Sequence, residues 1–158
     1  MNAVDISSGN ELRDLYRELI LDHARSPRHF GKLDNATHTA EGINPLCGDK
    51  LHLYLHVDGD TIDAVSFEGS GCAISVASAS LLTETVLGVK VHDALEYFST
   101  VTARMTDPDS AAARAVDLGK IAALDGVREF PSRIKCATLA WHALHSALQQ
   151  RDTPVSTE

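Results

Sequence analysis

A chain of 158 residues with 44% hydrophobic residues is sized for one ordinary domain with its own core, and needs no disulfide staple. A formal net charge of −8 argues against general affinity for nucleic-acid phosphate or anionic lipid, and 5% aromatic content argues against a base-stacking platform. No apolar run approaches the roughly 18 residues that span a bilayer, and "MNAVDISSGNEL" carries no signal-peptide pattern, so a cytoplasmic protein with no nucleic-acid or membrane partner is expected.

Residues 1–7 read as a loose arm. Ser8 stands three residues before Glu11, a capping-box spacing that predicts a helix start. Leu12, Leu15, Tyr16, Leu19, Ile20 and His23 continue at helical period until "RSP" at 25–27 stops the helix. After a loop, "THTAEGI" reads as a first strand. "LHLYLHV" then alternates Leu51, Leu53, Leu55 and Val57 against His52, Tyr54 and His56, the clearest β signal in the chain. "DGD" turns it, and "TIDAVSFEG" returns with imperfect alternation that predicts a bulge.

The Gly-rich "GSGC" opens a helix of small residues that closes at Gly88. "VHDALEYFSTVTARM" predicts an amphipathic helix with Val91, Ala94, Leu95, Phe98 and Val101 on one side. A further helix is expected over "AAARAVDLGKIAAL", capped by Asp109 or Ser110, followed by the loop "DGVREFPSR". The last helix, "IKCATLAWHALHSALQQ", buries Ile134, Leu139, Ala143, Leu144 and Leu148. The expected fold is α+β, a small three-stranded antiparallel sheet covered on one face by helices. It occupies residues 1–150 as one domain, with 151–158 as a mobile polar tail.

Three cysteines, Cys47, Cys72 and Cys136, fall at junctions. Cys47 lies in a Pro/Gly turn before the hairpin, with Asp49 two residues on. Cys72 and Cys136 lie at helix starts, which favour negative charge, so lowered thiol pKa values are expected there. An odd count with no CxxC pair rules against a disulfide framework or a zinc finger read from spacing. From spacing alone, incidental buried thiols remain an equal alternative. What favours a site is donor chemistry: three thiolates and a carboxylate suit a four-coordinate zinc ion or the open edge of an iron–sulfur cluster. Such a zinc site would carry a charge of about −2, partly offset by Arg133 and Lys135 beside Cys136.

The histidines fit ligation less well. His52 and His56 are four residues apart on a strand, and His142 and His145 lie roughly 9 to 13 Å along the helix from Cys136. These four, with His23 and His29, read as surface, packing or interface residues. No phosphate-loop or nucleophile-elbow motif is present.

"NPLCGD", "GSGCAISVASAS" and "FPSRIKCATLAWHAL", each holding a cysteine and in this order, resemble the IscU/NifU/SufU family of iron–sulfur cluster assembly proteins. "LYRELILDHARSPRHFGKL" matches as well, so the resemblance covers about residues 11–148. Lys135 before the third cysteine, and "MTDPDSAAARAVDLGKIAALDG" between the second and third, look like the SufU branch.

That resemblance implies a small antiparallel sheet covered by helices, with zinc on Cys47, Asp49, Cys72 and Cys136. It implies a sulfurtransferase role beside a PLP-dependent cysteine desulfurase of the SufS type. Cys47 would take the persulfide sulfur, and a histidine of the desulfurase would replace it on the metal. A downstream iron–sulfur assembly complex would be the destination. Two alternatives stay open: a scaffold on which a transient Fe–S cluster is built, and a non-catalytic zinc-stabilised interaction module. Arg133 is a further candidate for the catalytic site, pairing with Asp49 when the ion is absent or when ligands exchange. Arg25, His29 and Lys50 are candidates for desulfurase docking.

Overall fold

The computed structural model describes residues 4–150 and 154–157. Helix α1 spans Val4–Arg25, β1 His38–Asn44, β2 Asp49–Asp58 and β3 Thr61–Ser70. Helix α2 spans Ala73–Val86, α3 Val91–Thr106 and α4 Ile134–Leu148, and a last short strand β4 spans Val155–Ser156. Because α1 is already helical at Val4, Ser8 lies inside the helix and the capping-box spacing does not mark its start.

The sheet order is β3-β2-β1-β4. β1 pairs antiparallel with β2, and β2 with β3, whereas β4 runs parallel to β1 through Gly42 with Val155 and Ile43 with Ser156. The expectation of three antiparallel strands is therefore corrected to four mixed strands. The added strand comes from the segment read as a mobile tail. Its pairing continues where the Thr157 amide donates to the Ile43 carbonyl at 3.1 Å.

The period-2 pattern of β2 sets which face is dry. Leu53 and Leu55 have no exposure and Leu51 little, and all three face the helices. In the β2–β3 ladder His56 pairs with Ala64 but Val57 with Ile62, so Asp63 is the extra residue of a bulge in the return strand, as its broken alternation predicted.

Helices α2 and α4 lie on the sheet and on each other. Trp141 of α4 is fully buried and donates its indole N–H to Ser78 Oγ at 3.1 Å, and Ser78 in turn donates to the Ala137 carbonyl at 2.6 Å. Gly42 lets α4 approach the sheet: a Cβ there would meet Leu139 Cδ1 at 3.0 Å. This close seating fixes the first turn of α4 against the end of β1.

The helix expected over residues 111–124 is instead two 3-10 segments, Ala112–Arg114 and Gly119–Glu129, with a third at Pro131–Arg133. Ser110 does cap the first, accepting the Ala113 amide at 3.2 Å. Gly119, at φ 56°, breaks the helical path between the first two. Arg104 of α3 clamps the segment, donating from Nε and Nη2 to the two carboxylate oxygens of Asp125 at 3.0 and 2.9 Å. Among the described residues no helix is long and apolar enough to cross a membrane.

Candidate metal centre

Three chain junctions converge at one end of the sheet. The turn from Asn44 to Asp49 joins β1 to β2, and the Cys47 amide donates to the Asn44 carbonyl at 3.2 Å. Gly48 takes φ 72°, which a glycine adopts without a Cβ penalty, and Cys47 is thereby set on a tight loop. β3 ends at Ser70, and Cys72 caps α2 with extended backbone angles, its Sγ accepting the Ser75 amide at 3.4 Å. Pro131 begins the short turn that leads into α4 and buries Cys136 in its first turn.

The ligand atoms of Cys47, Asp49 and Cys136 all lie within 4.8 Å of one another. Cys72 falls outside that set, yet its thiol is among the hydrogen-bond neighbours of Cys136. All three cysteines are free; Cys47 and Cys72 are half-buried, and Cys136 is fully buried. The structure thus gathers three of the four sequence-predicted ligands, with the fourth alongside.

The carboxylate of Asp49 shows how the donor set is prepared. Asp49 is 2% exposed. Its Oδ1 accepts the Cys72 amide at 2.9 Å, and Ser75 Oγ lies 3.2 Å away. Its Oδ2 is buried with no hydrogen-bond partner among the described residues. An orphaned carboxylate oxygen beside two thiols is what a cation would complete, so the residues fit a thiophilic divalent ion. Gly71 is required for this approach, because a Cβ there would collide with Asp49 Oδ1 and sit 2.7 Å from Ser75 Oγ.

The lowered pKa expected for Cys136 from its helix start does not hold. Burial pushes this thiol up, and hydrogen bonding with Cys47, Asp49 and Cys72 adds to the rise. Three sulfurs and a carboxylate in one small volume cannot all carry charge without a cation. Arg133 brings a positive group to the edge of the centre. It is exposed, and its Nη1 lies 4.0 Å from Cys47 Sγ. Hydrogen bonding to Cys136, and then the charges of Cys72, Cys136 and Cys47, raise its pKa. Among the described residues no ion pair joins Arg133 to Asp49, so the guanidinium addresses the thiols rather than the carboxylate.

The histidines stand apart from this centre. His52 stacks on Tyr54, His56 pairs with Asp63, and His142 and His145 flank Phe98. His29 Nδ1 lies 3.0 Å from Thr83 Oγ1, while Arg25 and Lys50 are exposed. Two residues that sequence reasoning gave no role are central here. Ser75 orients Asp49, and Asn44 Nδ2 lies 3.6 Å from Cys136 Sγ. Both sit inside quoted motifs, but their contacts span 26 and 92 residues of chain.

Residues 15–137 match the model of the NifU-like N-terminal domain family. The chain is 40% identical over 150 residues to the zinc-dependent sulfurtransferase SufU of Bacillus subtilis, covering 93% of this chain and 98% of that protein. It is 37% identical over 141 residues to the iron–sulfur cluster assembly scaffold protein IscU of Streptococcus pyogenes, covering 89% and 87%. Among solved structures, a putative iron–sulfur cluster assembly scaffold protein for the SUF system from Fervidobacterium islandicum superposes with TM-score 0.77 at 37% identity, covering 83% of this chain and 94% of that one. A NifU-like protein from Brucella abortus has the same fold, with TM-score 0.75 at 23% identity.

Proposed function

The chain belongs to the NifU-like N-terminal domain family of iron–sulfur cluster assembly proteins, and on that premise we propose that it is a zinc-dependent sulfurtransferase. In this reading it accepts persulfide sulfur from a PLP-dependent cysteine desulfurase of the SufS type. It then passes the sulfur to a cytoplasmic iron–sulfur assembly complex. The observation that carries the reading is the asymmetry of the gathered ligands. Cys47 is half-exposed on a turn, whereas Asp49 and Cys136 of the same cluster are buried.

Cys47, Asp49, Cys72 and Cys136 would hold the ion. A bound zinc ion keeps its thiol ligands deprotonated at neutral pH and brings no redox chemistry of its own. The rest of the work belongs to the chain. The Gly48 turn presents the Cys47 thiolate to solvent, and Arg133 offsets its charge. The thiolate attacks the terminal sulfur of the donor persulfide, a new S–S bond forms, and the donor's own S–S bond breaks. The donor cysteine leaves as a thiolate and Cys47 holds the persulfide, so no electrons or protons are left unbalanced. The retained residues are anchored by secondary structure: Cys72 at the start of α2, Cys136 inside α4, and Asp49 clamped by Cys72 and Ser75.

The test is a desulfurase assay with the zinc-loaded protein and its Cys47→Ala variant. Cysteine turnover is expected to rise with the native protein and to show no rise with the variant. Stimulation by Cys47→Ala would remove the acceptor role. A scaffold reading is favoured by the identity to proteins named as IscU scaffolds. It is set against the first by Lys135 before Cys136 and by the clamped segment between α3 and α4. Purification with a sulfide-containing chromophore instead of about one zinc per chain would favour the scaffold.

A further inference from the structure

The sulfur atoms of the centre differ in what faces them. Cys72 Sγ accepts a backbone N–H from Ser75 at 3.4 Å. Cys136 Sγ has the side-chain amide of Asn44, with Nδ2 at 3.6 Å. Cys47 Sγ faces the exposed Arg133 Nη1 at 4.0 Å and the neighbouring Cys136 thiol, with no amide donor to it among the described residues. The two sulfurs fixed by helices therefore each have an amide donor, while the sulfur on the turn has a solvated cation at its margin.

Asn44 is built into this arrangement at some cost. It is 1% exposed, stands opposite Asp49 in the β1–β2 ladder, and closes the Cys47 turn through its carbonyl. Its Oδ1 is buried without a hydrogen-bond partner among the described residues. An aliphatic side chain would end the strand without leaving an amide oxygen orphaned. A thiolate has no proton to donate, so the NH2 half of the amide is the half that can serve it.

We propose that Asn44 is a positioning residue that selects which thiol receives the sulfur. Its N–H···S hydrogen bond withdraws electron density from Cys136 and holds that sulfur in the centre, so that Cys47 is left as the nucleophile. The proposal rests on the reading of Cys47 as acceptor and gives it a specificity determinant. No step beyond the persulfide exchange written above is required.

Two variants of near-equal size separate the donor from the shape of the side chain. Asn44→Leu and Asn44→Asp both remove the N–H donor at neutral pH, and only the second adds charge. In cobalt-substituted protein, both are expected to move the thiolate-to-metal charge-transfer band to longer wavelength, because the sulfur becomes more electron-rich. After incubation with desulfurase and cysteine, peptide mass spectrometry is expected to find the share of persulfide on Cys136 raised at least about fivefold over native protein. Asn44→Gln, which keeps an amide donor, is expected to lie nearer the native protein in both measurements. An unmoved band with sulfur still confined to Cys47 would overturn the proposal. Loss of cobalt binding or of folded structure in both donorless variants would also overturn it, by assigning Asn44 a purely structural role. Persulfide carried mainly by Cys136 in the native protein would instead remove the acceptor reading itself.

Discussion

Asp49 Oδ1 accepts the backbone N–H of Cys72 at 2.9 Å, so the carboxylate of one chain junction is fixed by the amide of another. This bond leaves Oδ2 as the free donor atom of the centre. Ser75 supports it from the next turn of the helix, with Oγ 3.2 Å from Oδ1. Ser75→Ala is therefore expected to weaken zinc binding by about tenfold, the usual effect of removing an outer hydrogen-bond partner. Competition with a chromogenic chelator measures it, and unchanged affinity would mean that the Cys72 amide alone sets the carboxylate.

Gly71→Ala is expected to be worse than Ser75→Ala. The new Cβ collides with Asp49 Oδ1 and lies 2.7 Å from Ser75 Oγ, so the carboxylate must move away from the thiols. Zinc content after purification is expected to fall below that of Ser75→Ala, with secondary structure retained by circular dichroism.

Arg133→Met is expected to slow sulfur transfer while leaving zinc content intact. The guanidinium is exposed and 4.0 Å from Cys47 Sγ, so its influence is that of a screened surface contact. A drop of about two- to fivefold in stimulated desulfurase turnover is expected, shrinking as salt is raised. Loss of zinc in this variant would place Arg133 among the groups that hold the centre together instead.

Acid is expected to destabilise the fold through buried histidine. His23 has no exposure, its Nδ1 lies 2.7 Å from Ser80 Oγ, and its Nε2 lies 3.4 Å from Glu84. Burial lowers its pKa below 6.5 and the Arg28 charge lowers it further, outweighing Glu84 and Asp22. His142 is lowered in the same direction, first by burial and then by His145. The folded chain thus binds fewer protons than the unfolded chain just below pH ~6.5, so stability is fully present above that pH and declines as pH falls through the window beneath it. Melting temperature is expected to drop between about pH 7.5 and 5.5, and His23→Gln is expected to flatten the slope. An equal slope in that variant would assign the acid sensitivity elsewhere.

Asp125→Ala is expected to loosen the segment between α3 and α4. It removes both acceptors of the Arg104 fork, which lies half-buried. A loss of about 1–3 kcal/mol is expected from denaturant unfolding. Proteolytic nicking between residues 107 and 133 is expected to quicken. Protease resistance equal to the native protein would show the 3-10 segments to be held by their apolar contacts alone.

The parts of this fold that were legible in the sequence are those with a strong local period. Leu51, Leu53 and Leu55 announced a half-buried strand, and Gly88 marked the end of α2. What escaped has little local signature. The two-residue strand at Val155–Ser156 has no alternation to read, and only its pairing with Gly42 and Ile43 defines it. The segment at 111–129 has helical composition, but the positive φ of Gly119 and the Arg104 clamp turn it into separate 3-10 pieces. For the centre, donor chemistry and motif resemblance pointed to the three residues whose ligand atoms the structure gathers, Cys47, Asp49 and Cys136. The roles of Ser75 and Asn44 depend on contacts across the fold, and the rise in the Cys136 thiol pKa depends on burial, which a helix-start argument leaves out.

The most direct test follows one sulfur atom and one metal ion together. Zinc-loaded protein is incubated with cysteine desulfurase and cysteine, desalted, and examined by native and peptide mass spectrometry. The expected result is a persulfide on Cys47 in chains that still carry zinc. Sulfur confined to Cys136, or zinc expelled from every chain that carries sulfur, would contradict a centre in which Cys47 departs while Asp49, Cys72 and Cys136 remain.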